Sequence, residues 1–77
     1  MYSPYQHLES KARAAKYGGH DVWASLSTGE RVAVALVLNR ADWLEEMNYT
    51  IAEAIGRSGQ EWREIIPHVA QQLESEG

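Results

Sequence analysis

The chain has 77 residues, 44% of them hydrophobic and 23% charged, with no cysteine and a net charge of −4. That length allows one domain, residues 1–77, burying about 60% or a little more of its unfolded surface, and the composition is too apolar for a disordered chain. Disulfides and thiolate zinc sites are excluded, and the longest apolar run, seven residues, is far short of the roughly 18 that a membrane span needs.

No basic-then-apolar leader precedes that run, so the reading is of a soluble protein of the cytoplasm. Charge is unevenly placed. Residues 1–20 carry Lys11, Arg13 and Lys16 against Glu9, net +2; residues 21–40 cancel; residues 41–77 are net −6. An acidic majority disfavours a nucleic-acid surface over most of the fold, and only Lys11, Arg13 and Lys16 could offer phosphates a basic face.

Ser3-Pro4-Tyr5-Gln6 opens the first predicted helix, residues 4–17. A Ser or Thr followed three residues later by Glu or Gln lets two side chains satisfy orphan backbone N–H groups reciprocally, and proline at the first helical position has no N–H to waste. Tyr5, Leu8, Ala12 and Ala15 fall on one stripe, narrow enough for close packing through the alanines, and Gly18-Gly19 ends the helix.

Ser27-Thr28-Gly29-Glu30 repeats the capping pattern and opens a second helix, residues 28–47, which Asn48 stops. Its first half is the apolar run Val32 to Leu38, whose valines also suit a buried strand; the capping box decides for helix, since one strand would have nothing here to pair with. At about 100° per residue from Val32, the arc from about 0° to 140° holds Val32, Leu36, Ala33 and Val37, then Trp43, Leu44 and Met47. This is the core face. Val34 and Leu38 lie near about 200° and 240°, where the later residues are Asp42, Glu45 and Glu46. The first half therefore has a second apolar face that the second half lacks. Either the first helix covers it or a second copy of the protein does, with Ala35 allowing close approach.

Thr50-Ile51-Ala52-Glu53 and Ser58-Gly59-Gln60-Glu61 open two more helices, residues 51–57 and 60–74. In the last, Trp62, Ile66, Val69 and Leu73 form a stripe thickened by Ile65. Pro67 removes the N–H that would bond to the carbonyl of Arg63, so a kink or restart is expected.

Catalytic and ligand-binding patterns are weak. His7, His20 and His68 have no helical i, i+4 pairing and read as solvated or locally bonded rather than as metal ligands. Glu45-Glu46 and Glu61/Glu64 read as solvated helix faces, and Ser27 and Ser58 serve better as caps than as nucleophiles. Gly18-Gly19-His20-Asp21 follows a basic helix end rather than a strand, against a phosphate cradle. Residues 50–66 have the short helix, glycine turn and longer helix of a helix-turn-helix, but the would-be recognition helix opens with Glu61 and Glu64, which Arg63 alone does not offset beside phosphates. Trp43 and Trp62 fall on core stripes, while Trp23 lies between helices. Tyr2, Tyr5, Tyr17 and Tyr49 are too dispersed for a stacking platform.

The stretch Leu26-Ser27-Thr28-Gly29-Glu30-Arg31-Val32-Ala33-Val34-Ala35-Leu36-Val37-Leu38-Asn39-Arg40-Ala41-Asp42-Trp43-Leu44, continued by Tyr49-Thr50-Ile51-Ala52-Glu53-Ala54-Ile55, resembles small proteins of proteobacterial mobile elements such as integrative and conjugative islands. The resemblance implies a bacterial cytoplasm and an accessory role, and transfers no catalytic motif. The sequence thus points to an all-α bundle of three to four helices around a central apolar helix, needing no cofactor or metal. It reads as a non-enzymatic protein-interaction partner that self-associates as a dimer through Val34, Ala35 and Leu38, the alternative being nucleic-acid binding through Lys11, Arg13 and Lys16.

Overall fold

The computed structural model describes residues 3–76, and among these every regular element is helical. Six helices run in chain order: α1 Pro4–Gly18, α2 His20–Ala24, α3 Thr28–Val37, α4 Ala41–Glu46, α5 Ile51–Arg57 and α6 Gln60–Ser75. The all-α class and the central apolar helix are as the sequence predicts.

Three of the four expected capping boxes form. Ser3 Oγ accepts the Gln6 N–H at 3.1 Å and Gln6 Oε1 accepts the Ser3 N–H at 3.1 Å. Ser27 with Glu30 and Thr50 with Glu53 do the same at 2.9–3.3 Å. The fourth does not form. Ser58 is instead the C-cap of α5, its hydroxyl donating to the Ala54 carbonyl at 2.7 Å, and Gly59, at φ 84°, takes the N-terminal position of α6 without a side-chain cap. Nor does Pro67 split α6, which runs unbroken across it. Pro67 and Arg63 are both exposed, where water can reach the carbonyl that loses its partner.

The predicted helix 28–47 is two helices. Asn39 adopts φ 55°, its N–H donates to the Leu36 carbonyl at 3.2 Å, and the Arg40 N–H donates to Ala35 at 2.8 Å. This is the paired bonding of a Schellman motif, which closes a helix with a left-handed residue just beyond it. Asn48 repeats it at φ 63°, with Asn48 and Tyr49 donating to Glu45 and Leu44 at 2.9 Å each. A continuous helix of 20 residues would be about 30 Å long, as long as the greatest 31 Å extent of the molecule. The turn at Asn39 instead folds Trp43 and Leu44 back under the core, where both are buried.

The short α2 was not expected. Gly18 and Gly19 end α1, but the chain re-enters a helix at once. Gly19, at φ 77° and ψ −160°, serves as both C-cap of α1 and N-cap of α2, a backbone region open essentially to glycine alone. A Cβ at Gly18 would overlap the Val22 side chain. This corner carries Trp23 into the core, fully buried, with its Nε1–H donating to the Arg31 carbonyl at 2.8 Å.

At the centre lies α3, in contact with each of the other five helices. Val32, Ala33, Val34 and Ala35 have no exposed surface. Around them pack Leu8, Ala12 and Ala15 of α1, Ala54 of α5, and Val69 and Leu73 of α6, all buried.

Two glycines should respond in opposite directions. Gly19→Ala is expected to lower stability by about 1–3 kcal/mol through backbone strain, whereas Gly56, inside α5 with open space where a Cβ would go, should gain up to about 1 kcal/mol as alanine. Thermal or denaturant melts of the two variants check both signs.

Candidate functional site

The second apolar face of α3 is closed by the chain itself at Val34 and only in part at Leu38. Val34 and Ala35, expected at an interface, are each 0% exposed, so no partner reaches them without opening the fold. Leu38 is partly buried and lies at a groove. The break at Asn39 turns α4 back against α3, which is in contact with every other described helix.

The basic residues of α1 turn out to have internal work. The Lys16 ammonium donates to the Leu73 carbonyl at 2.6 Å, in the last turn of α6, where orphan carbonyls and the negative end of the helix dipole favour a cation. Arg13 forks onto Glu76, its Nε–H donating to Oε1 at 3.3 Å and a terminal N–H to Oε2, and it also faces Glu9 at 3.7 Å. That hydrogen bond holds the Glu76 carboxyl below its usual range. Two of the three residues that would have gripped phosphates therefore tie α1 to the end of α6. Lys11 is partly buried, and its charge helps lower the Glu30 pKa.

The remaining polar side chains also read as fastenings. His7 Nε2 and Glu30 Oε2 are 2.7 Å apart, and the His7 ring stacks on Trp62 at 5.8 Å between centroids. Glu30 is held below the ordinary carboxylate range, chiefly because it accepts the Ser27 N–H and secondarily because of His7, against the opposing effect of burial. His20 Nε2 lies 2.9 Å from both Glu46 oxygens, beside Trp23 and Trp43. The hydroxyls of Ser25 and Ser58 donate to backbone carbonyls, and Ser27 accepts a backbone N–H. Among the described residues no three His, Asp or Glu side chains gather as a metal would require. Likewise no helix there is long and apolar enough to cross a membrane.

One arrangement was not visible in the sequence. Trp23 and Trp43 stack at 4.9 Å with ring planes 23° apart, while the Arg31 guanidinium lies 5.8 Å from the Trp23 centroid and that of Arg40 lies 4.2 Å from Trp43. Arg40 is also paired with Asp42 through two hydrogen bonds of 3.0 and 2.9 Å. The stack joins α2 and α4 across 20 residues of chain, and a motif search reads only neighbours. Tyr2 lies outside the described residues.

Two hollows flank the corner between α3 and α4. The larger, about 620 Å³, is lined by Ala15, Lys16, Leu38, Trp43, Ala70 and Leu73 among others. The smaller, about 180 Å³, lies between Ala41, Leu44 and Ile51. Leu36, Asn39 and Arg40 line both, so the two hollows adjoin. Next to the smaller hollow stand Ile51 and Ile55, 56% and 45% exposed, one turn apart on α5. Sequence reasoning gave them no role, since a seven-residue helix does not reveal which side it packs.

The helix-turn-helix candidate resolves into α5, packed mainly on α3 and α4, and α6, packed on α1 and α3. Glu61 occupies the first turn of α6, with Arg63 and Glu64 exposed. Comparison with known protein families, curated proteins and solved structures finds no match.

If Lys16 serves as a cap, Lys16→Met, which keeps the stem and removes the donor, should cost about 1.5–3 kcal/mol. An unchanged denaturant midpoint would show that the ammonium is free for other use.

Proposed function

We propose that this chain is a non-enzymatic interaction protein that self-associates, with an accessory role in the cytoplasm of a bacterium bearing a mobile element. The observation that carries this reading is the pair Ile51 and Ile55, large aliphatic side chains left about half in water on a domain that buries most of its apolar run, Leu36 and Leu38 only in part. Fully burying an isoleucine contributes roughly 1.5–3 kcal/mol. Two of them on one turn of helix therefore make a usable anchor once a partner arrives. The interface moves accordingly from Val34 and Ala35, which serve the core, to the outside of α5. The acidic first turn of α6 and the engagement of Arg13 and Lys16 with its C-terminal end favour a protein partner over nucleic acid.

Sedimentation velocity over a concentration series tests this. The parent chain should pass from monomer to dimer, and Ile55→Glu should weaken dimerisation about tenfold or more, since tenfold corresponds to only about 1.4 kcal/mol. Its melting curve should shift little, because the side chain is already half exposed. A parent that stays monomeric at high micromolar concentration would overturn the reading, as would duplex DNA binding at low salt that weakens steeply as salt rises.

A further inference from the structure

We infer that α5 is a cover that opens as a unit between Asn48 and Gly59 while the other five helices stay assembled, and that this opening is the route to the apolar side of α3. Every other helix buries at least one side chain larger than alanine, among them Leu8 on α1, Trp23 on α2, Val32 on α3, Trp43 on α4 and Val69 on α6. α5 buries only Ala54, and its six other residues are exposed. Every other helix is also tied to a neighbour by a side chain. His7 with Glu30 joins α1 to α3, Lys16 and Arg13 join α1 to α6, the Trp23 indole joins α2 to α3, and His20 with Glu46 joins α2 to α4. Among the described residues, the side-chain hydrogen bonds of α5 and its caps stay within it: Thr50 with Glu53, and Ser58 with the Ala54 carbonyl.

Seven residues are too few for a helix to persist in water on its own, so α5 depends on its seat against α3 and α4. Burying one alanine takes little apolar area out of water, and elements with few buried apolar contacts open at the low end of a protein's range of local stabilities. The seat is also incompletely filled: a hollow of about 180 Å³ is lined by Ile51 of α5 with Ala35 and Leu36 of α3 and Leu44 of α4. Both flanks of α5 already carry residues in the left-handed region, Asn48 at φ 63° and Gly59 at φ 84°, and a hinge needs only a few such positions to absorb a change of direction. None of the ties among the other helices involves α5, so its departure leaves them in place. It uncovers Ala35, which has no exposed surface while α5 is seated. The motion occurs within one chain and does not depend on self-association.

Hydrogen exchange on the intact chain at low micromolar concentration, in guanidinium below the unfolding transition, tests this. Opening as a unit predicts that the amides of residues 54–58 share one opening equilibrium, with protection factors at least tenfold lower than those of residues 32–38 and a weaker dependence on denaturant, because less surface is exposed. Lys16→Met supplies a second readout. It removes a tie between α1 and α6 that persists when α5 opens, so it should lower protection at residues 32–38 about tenfold or more and leave residues 54–58 unchanged. Should Lys16→Met leave the denaturant midpoint where it was, Leu8→Ala, which opens a cavity under the buried face of α1, makes the same comparison. Equal protection in the two segments, with one denaturant dependence and one response to the substitution, would mean that α5 is released only by global unfolding and would overturn the inference. A graded series along α5 that ignores denaturant would overturn it as well, since the helix would then fray residue by residue.

Discussion

The fold depends on enclosing α3. A helix that is apolar around its whole circumference is stable in water only when every side is covered, and in 77 residues little chain is available to cover it. The chain meets this constraint by keeping α3 short, ten residues, and bringing all five other helices against it. Small side chains make this possible: Ala12 and Ala15 on α1, Ala33 and Ala35 on α3, and Ala54 on α5 are buried and let backbones approach closely. Interiors of this kind are packed near crystal density, so the shape of each helix limits its neighbours.

The corners follow from the same constraint. Helices gathered around a short centre must turn sharply, and the turns are made by residues that tolerate positive φ: Gly19, Asn39, Asn48 and Gly59. The α1–α2 and α3–α4 corners deliver Trp23 and Trp43 to one another, and the resulting stack, flanked by Arg31 and Arg40, closes one side of the core. At the other end, Lys16 and Arg13 hold the C-terminal turn of α6 to α1. The charges that look like a ligand surface in one dimension are therefore partly consumed in holding helices together.

What was legible in the sequence was local. Ser3, Ser27 and Thr50 act on a backbone N–H three residues away, so a four-residue pattern contains the whole interaction. Ser58 carried the same pattern and does not cap α6, because it ends α5 in helical backbone, φ −67° and ψ −21°, where an N-cap needs extended backbone. The break at Asn39 had a readable signal, an asparagine like the one at Asn48 that does end a helix. It was masked by apolar periodicity continuing into Trp43, Leu44 and Met47. Coverage of Val34 was not readable at all, because it depends on how many helices converge, a tertiary fact. The same holds for Ile51 and Ile55: their apolar character is evident, but only the packing of Ala54 against the core shows that they are left outside.

Buried core and exposed aliphatic surface are thus separate parts of the chain. The apolar run that dominates the sequence is largely core, while the exposed isoleucines Ile51 and Ile55 lie apart from it on α5. Native-state hydrogen exchange tests that separation most directly. Amides of residues 32–38 should be the slowest to exchange, with protection that does not change with protein concentration. Protection of those amides that rises with protein concentration would mean that another copy, and not the chain's own helices, covers α3.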